Sequence, residues 1–177
     1  MFNQLNDLKI FFEDPNKEFH LRELARILKK NPVTIKRHLQ GFVKLGVLNC
    51  KKERRLEIYS SNTENFYYKE YKKVYNRFKI IESGLLNFLK KEFNLPTIIL
   101  FGSYERGEDN KNSDVDIFIL TEIKKHINLE FYEKKINRPI QLHIMNKKEF
   151  QKAKKDNPDL INSIINGSLL SGFTEVL

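Results

Sequence analysis

Cysteine is nearly absent. Cys50 stands alone, so no intramolecular disulfide can form and a cysteine-rich zinc site is excluded. The four histidines, His20, His38, His126 and His143, show no HExxH or similar ligand spacing, which argues against a closed structural metal site. No run of about 18 apolar residues exists, so no transmembrane helix is expected. The opening MFNQLNDLKIFF has no basic region ahead of its apolar part, unlike a secretory signal, and a cytoplasmic location is expected. Proline is missing from residues 64–92, and glycine occurs there once. Asp and Glu are missing between Glu133 and Glu149, a gap that bears on the chemistry below.

What is present is aromatic and basic. Fourteen Phe, seven Tyr and 40% hydrophobic residues in 177 positions mark a folding chain, not a disordered basic tail. The net charge of +9 is unevenly placed: +6 over residues 1–60, +3 over 61–92 and zero over 93–177. A basic first half beside a neutral second half implies a polyanion partner for the first alone.

Along the first sixty residues the apolar spacing is helical in three places. Leu5, Leu8, Phe11 and Phe12 share one stripe, closed by Pro15; Leu21, Leu24, Ala25 and Leu28 share a second. In NPVTIKRHLQGFVKLG, Asn31 suits a helix cap and Pro32 a first turn, with Ile35, Leu39 and Phe42 inward and Gly46 as the stop. VLNCKKERRLEIYS then reads as a β-hairpin with a basic tip. Residues 1–60 resemble the winged helix-turn-helix domains of prokaryotic regulators. That resemblance implies a reading helix whose outward Thr34, Lys36, Arg37 and Gln40 face base edges in a major groove. Lys51, Lys52, Arg54 and Arg55 at the hairpin tip would then follow the phosphate backbone or minor groove. Duplex DNA is the expected partner and transcriptional regulation the expected role; RNA and a protein-only contact are the alternatives.

Residues 64–92 continue a helical pattern of apolar and aromatic positions, from Phe66 to Leu89, as one long helix or two in series. The stripe is broader than a monomeric linker needs, and a homodimer through it would match two-fold DNA half-sites. From Leu95 the pattern becomes mixed: PTIILF, DVDIFIL and RPIQLHIM read as strands, SLLSG as a short last one. Helical pieces fall near 126–136, 147–155 and 158–166.

GSYERGEDNKNSDVDIFIL carries the chemistry. Asp114 and Asp116 sit at i and i+2, so an extended chain puts both carboxylates on one face, where they repel unless a cation lies between them. Gly102 permits close backbone approach to a ligand. This stretch resembles the nucleotidyltransferase superfamily shared with DNA polymerase beta, especially its minimal prokaryotic members. Their glycine-serine, later glycine and serine-aspartate-x-aspartate pattern matches at Gly102, Ser103, Gly107, Ser113, Asp114 and Asp116, and the likeness covers roughly residues 93–173. The resemblance implies that Gly102, Ser103, Gly107 and Ser113 hold the phosphates of a nucleoside triphosphate, and that Asp114 and Asp116 hold Mg2+ or Mn2+. Active members usually carry a third acid on a following strand. Here the matching position holds Gln141, with His143 two residues on as the other match and an unorthodox base.

The expected fold is α+β, with a winged helix-turn-helix over 1–62, linking helix or helices over 63–92, and a nucleotidyltransferase-like domain over 93–177. The expected function is DNA binding joined to a nucleotide-binding domain whose catalysis is weakened or lost. The alternative is an active transferase that moves a nucleoside monophosphate onto an RNA, protein or small-molecule hydroxyl.

Overall fold

A computed structural model describes residues 2–54 and 56–173, with side chains from Asn6 onward. Leu5 and Arg55 of the expectations above lie outside the described side chains. The chain divides into two compact units, Met1–Tyr75 and Asn76–Leu177.

The first unit contains α1 (Phe2–Glu13), β1 (Phe19–His20), α2 (Leu21–Ile27), α3 (Pro32–Lys44), β2 (Leu48–Glu53) and β3 (Leu56–Ser61), and the start of α4 (Phe66–Ser83). Its antiparallel sheet has the order β1-β3-β2. Asn31 accepts a 2.8 Å bond from Val33 N, and Pro32 fills the first turn of α3, where its missing amide hydrogen costs nothing. The helix stops at Gly46, whose φ of 73° is a left-handed conformation. Leu8, Phe11, Phe12, Phe19, Leu24, Ile35, Leu39, Val47, Tyr59 and Tyr68 close a single core.

Buried Asp7 ties α1 to α3 and to the turn before it: its carboxylate lies 2.6 Å from Lys30 Nζ and 2.6 Å from His38 Nδ1. A second tie joins α3 to the sheet through Lys36 Nζ and Glu57 Oε1 at 2.6 Å. The Lys36 hydrogen bond holds the Glu57 carboxyl below its usual range, against the opposing effect of burial. A depressed folded value means that the stabilisation is present above the ordinary carboxylate range and is lost as pH falls through the folded value. Lys36 is partly exposed, so the effect is small, under about 1 kcal/mol. In acid titrations of thermal stability, Glu57→Gln should therefore flatten the low-pH arm slightly; an unchanged arm would show that this bond adds no net stability.

The second unit takes the end of α4, then α5 (Leu85–Glu92), β4 (Thr97–Phe101), α6 (Gly102–Arg106), β5 (Val115–Leu120), α7 (Glu130–Ile136), β6 (Ile140–Met145), α8 (Lys147–Asp156), α9 (Pro158–Ile165) and β7 (Ser168–Ser171). The four-stranded sheet runs β6-β5-β4-β7, with β5 and β6 parallel and the other pairs antiparallel. Alternation gives the central strands β4 and β5 two largely apolar faces. Ile98, Leu100, Val115, Ile117 and Ile119 meet Ile80, Leu85, Leu89 and Ile136 on one side. Ile99, Phe101 and Phe118 meet Phe150, Ile161 and Ile164 on the other.

Helix α7 begins later than the expected residue 126, because Asn128 Oδ1 accepts from Glu130 N and turns the chain there. α8 opens on a reciprocal cap, in which Asn146 and Glu149 each bond the other's backbone amide. Among the described residues no helix is long and apolar enough to cross a membrane.

Candidate nucleotide site and basic surface

β4 and β5 run antiparallel with Phe101 opposite Asp116, so Gly102 leaves the sheet beside the Asp116 carboxylate. Gly102 has φ 76°, and a Cβ built on it would lie 2.2 Å from Asp116 Oδ2. Glycine is required there twice over, for the backbone conformation and for the space the carboxylate occupies. Asp114 precedes β5 and is exposed, while Asp116 lies within the strand and keeps part of its side chain in solvent. Val115 and Ile117, fully buried on the opposite face, fix the strand that carries them.

The neighbouring residues divide their roles. Ser103 enters the five-residue α6 and is half-buried. Gly107 ends that helix at φ 68°, and Glu108 N bonds back to Ser103 O at 3.0 Å. Ser113 Oγ accepts from Asn110 N at 3.0 Å, closing the turn that delivers Asp114. Gly107 thus shapes the loop through its backbone and Ser113 through its hydroxyl.

On β6, Gln141 is in register with Asp116 and His143 with Phe118. Gln141 is exposed and stands beside Asp116 on the adjoining strand. His143 stacks edge-on to Phe101, with ring centroids 5.2 Å apart. Its Nε2 lies 3.7 Å from Asp116 Oδ1, close enough for charge attraction when protonated but beyond a good hydrogen bond.

α6 and the loop after it carry three acids, each held elsewhere. Glu105 accepts from Ser168 Oγ at 2.5 Å, and Glu108 accepts from Arg106 Nε at 2.8 Å. Asp109 is buried, accepts from Asn76 Nδ2 at 2.8 Å and lies 3.8 Å from Arg138 Nη2. Among the described residues, no group of three or more His, Cys, Asp or Glu side chains is gathered to hold a metal ion. Carboxylates such as Asp114 and Asp116 are the donor type that a hard cation takes, with water and phosphate oxygens as its other ligands. Gln141 supplies no third negative charge.

In the first unit, the residues expected at a groove differ in their freedom. Arg37 and Gln40 are exposed on α3. Thr34 lines an open recess of about 620 Å³ with Asn6, Asp7, Leu28, Lys30, Asn31 and His38, so it stands at the edge of the outward face. Lys36 is held by Glu57. Lys51 and Lys52 sit within β2, opposite Ile58 and Glu57, and are not at the hairpin tip; extended pairing continues to Glu53↔Leu56. Lys51 is clamped by Glu18 at 2.9 Å and Glu53 at 3.0 Å, and these bonds raise its pKa. Arg54, at φ 46°, forms the described part of the tip. Of the cations expected at a groove, Arg37, Lys52 and Arg54 are exposed and make no ion pair among the described residues.

The family model described as nucleotidyltransferase domain matches residues 82–169, a stretch that runs from the end of α4 into β7 and contains every residue of the aspartate site. The chain therefore contains a nucleotidyltransferase domain, and such domains generally use divalent metals and nucleoside triphosphates. No curated protein and no solved structure matches the chain.

Proposed function

We propose that the nucleotidyltransferase domain binds a metal-complexed nucleoside triphosphate at Asp114 and Asp116, that transfer is weakened, and that the first unit is a winged helix-turn-helix which binds duplex DNA. The reading makes the chain a DNA-binding regulator in the cytoplasm with a nucleotide-binding domain. The observation that carries it is the register of Gln141 beside Asp116, with Glu105, Glu108 and Asp109 all bonded away from that position. Asp114 and Asp116 would hold Mg2+ or Mn2+, which supplies charge neutralisation to the phosphates when bound. The backbone at Gly102 and Ser103 would lie against a phosphate, and Asp116 is kept in place by the sheet. With two carboxylates the site offsets one divalent ion far better than two, so binding outlasts turnover.

The test is titration of labelled ATP, CTP, GTP and UTP with Mg2+ or Mn2+, followed by assay of label transfer. Metal-dependent binding is expected in the native protein and lost in Asp114→Ala/Asp116→Ala, with little transfer. Gln141→Asp should raise transfer by at least about tenfold, since it places a carboxylate at the position beside Asp116. Strong transfer by the native chain would favour the alternative, an active transferase acting on an RNA, protein or small-molecule hydroxyl. His143, 3.7 Å from Asp116, is the observation behind that second reading, because a histidine there could accept the hydroxyl proton.

For the first unit, support comes from the order helix, helix-turn-helix and hairpin, and from the exposed Arg37, Gln40, Lys52 and Arg54. Arg37→Ala should relax sequence preference, costing about 1–3 kcal/mol at one base pair. Lys52→Ala/Arg54→Ala should weaken all duplexes alike and reduce the salt dependence. Binding curves that overlay for native and variant proteins would remove this surface.

A further inference from the structure

Helix α4 spans Phe66–Ser83 and keeps large apolar side chains in solvent. Tyr67 is 51% exposed, Val74 51%, Phe78 52% and Ile81 57%. With Tyr71, which is half-buried against the core of the first unit, these positions advance by four, three, four and three residues. That is the 3.5-residue repeat of a two-helix seam, whereas the packed residues of the same helix, Tyr68, Lys72, Asn76, Ile80 and Ser83, lie round its other side. Large apolar side chains on one exposed stripe mark an interaction face.

The flanks of the stripe say what covers it. Arg77 and Glu82 are exposed, one on each side of the stripe, and neither makes an ion pair among the described residues. They are five positions apart, too far round the helix to meet each other as i,i+3 or i,i+4 pairs do. Across a parallel pair of identical helices that same five-residue offset brings them together, because one flanking position meets the opposite flank of the next repeat in the partner. A two-fold axis makes the contact twice. In the antiparallel arrangement Arg77 would instead face Glu70, which already bonds Lys73 at 2.8 Å.

We infer that α4 pairs in parallel with α4 of a second copy of this chain, through Tyr67, Tyr71, Val74, Phe78 and Ile81, with Arg77 bonded to the partner's Glu82. The seam is a property of one continuous helix and does not depend on the nucleotide or DNA proposals.

Sedimentation velocity and light scattering on the full chain across a concentration series test it. A dimer is expected, with Val74→Glu/Phe78→Glu raising the dissociation constant at least about a hundredfold while circular dichroism still shows a folded chain. Arg77→Glu alone and Glu82→Arg alone should each weaken the dimer about three- to tenfold, and the double reversal should restore it. A monomer at all concentrations, or a dimer indifferent to the Val74 and Phe78 changes, overturns the seam. A dimer weakened by Arg77→Glu but untouched by Glu82→Arg overturns the parallel orientation.

Discussion

Gly102→Ala is expected to lower the stability of the second unit and to weaken metal-dependent nucleotide binding together. The left-handed backbone alone costs an alanine about 1–2 kcal/mol. The larger effect is local, since the new Cβ would stand 2.2 Å from Asp116 Oδ2, a separation no real Cβ contact shows. Either the carboxylate rotates away or the β4–α6 junction shifts, and both displace the group proposed to hold the metal. Thermal melting should move down by several degrees. Nucleotide affinity in Mg2+ should fall by at least about tenfold. Asp116→Ala in the Gly102→Ala background should return part of the lost stability by removing the collision, without returning nucleotide binding. If Gly102→Ala binds and melts like the native protein, Asp116 is not confined by this glycine and the site argument fails.

Asp109→Ala should be among the most destabilising single changes in the molecule. Asp109 and Arg138 are both nearly fully buried, 3.8 Å apart, and Asn76 donates to the same carboxylate. Removing a buried carboxylate strands a buried guanidinium, at a cost of about 3–5 kcal/mol. Asp109→Asn keeps an oxygen for Asn76 and should cost less. Arg138→Met should rescue part of the Asp109→Ala loss, because the pair is then removed together. Denaturant unfolding, read as a fall in midpoint at constant slope, checks the order of the three. Asp109→Ala with native stability but no nucleotide binding would instead place this carboxylate at the site, as a third acid.

These two predictions rest on facts of different visibility. The GSYERGEDNKNSDVD stretch already marks Gly102, Asp114 and Asp116 as a set, through its resemblance to the nucleotidyltransferase motif and the i, i+2 placement of the two aspartates. The family match over residues 82–169 agrees with that motif. Asp109 gives no such signal: in the sequence it is one of three acids in a polar loop. Its burial follows from Asn76, 33 positions earlier, and Arg138, 29 positions later, which no local pattern links to it. Lys36 and Lys51 make ion pairs that are as invisible in the local pattern. Each reads as an outward cation from helix or strand periodicity, yet Glu57 and Glu18 supply acids from other elements.

The sequence alone determined where helices and strands form in both halves, and which apolar positions face a core. Those follow from repeats of 3.6 and 2 residues, bounded by Asn31, Pro32 and Gly46 in the first half, all read within one or two turns of chain. Only the tertiary structure decided which charges remain available, that Gln141 is the residue beside Asp116, and that Gly102 owes its place to a carboxylate. Strand register and ion pairing join residues tens of positions apart, and their strength depends on distance and burial, quantities that a one-dimensional pattern does not contain.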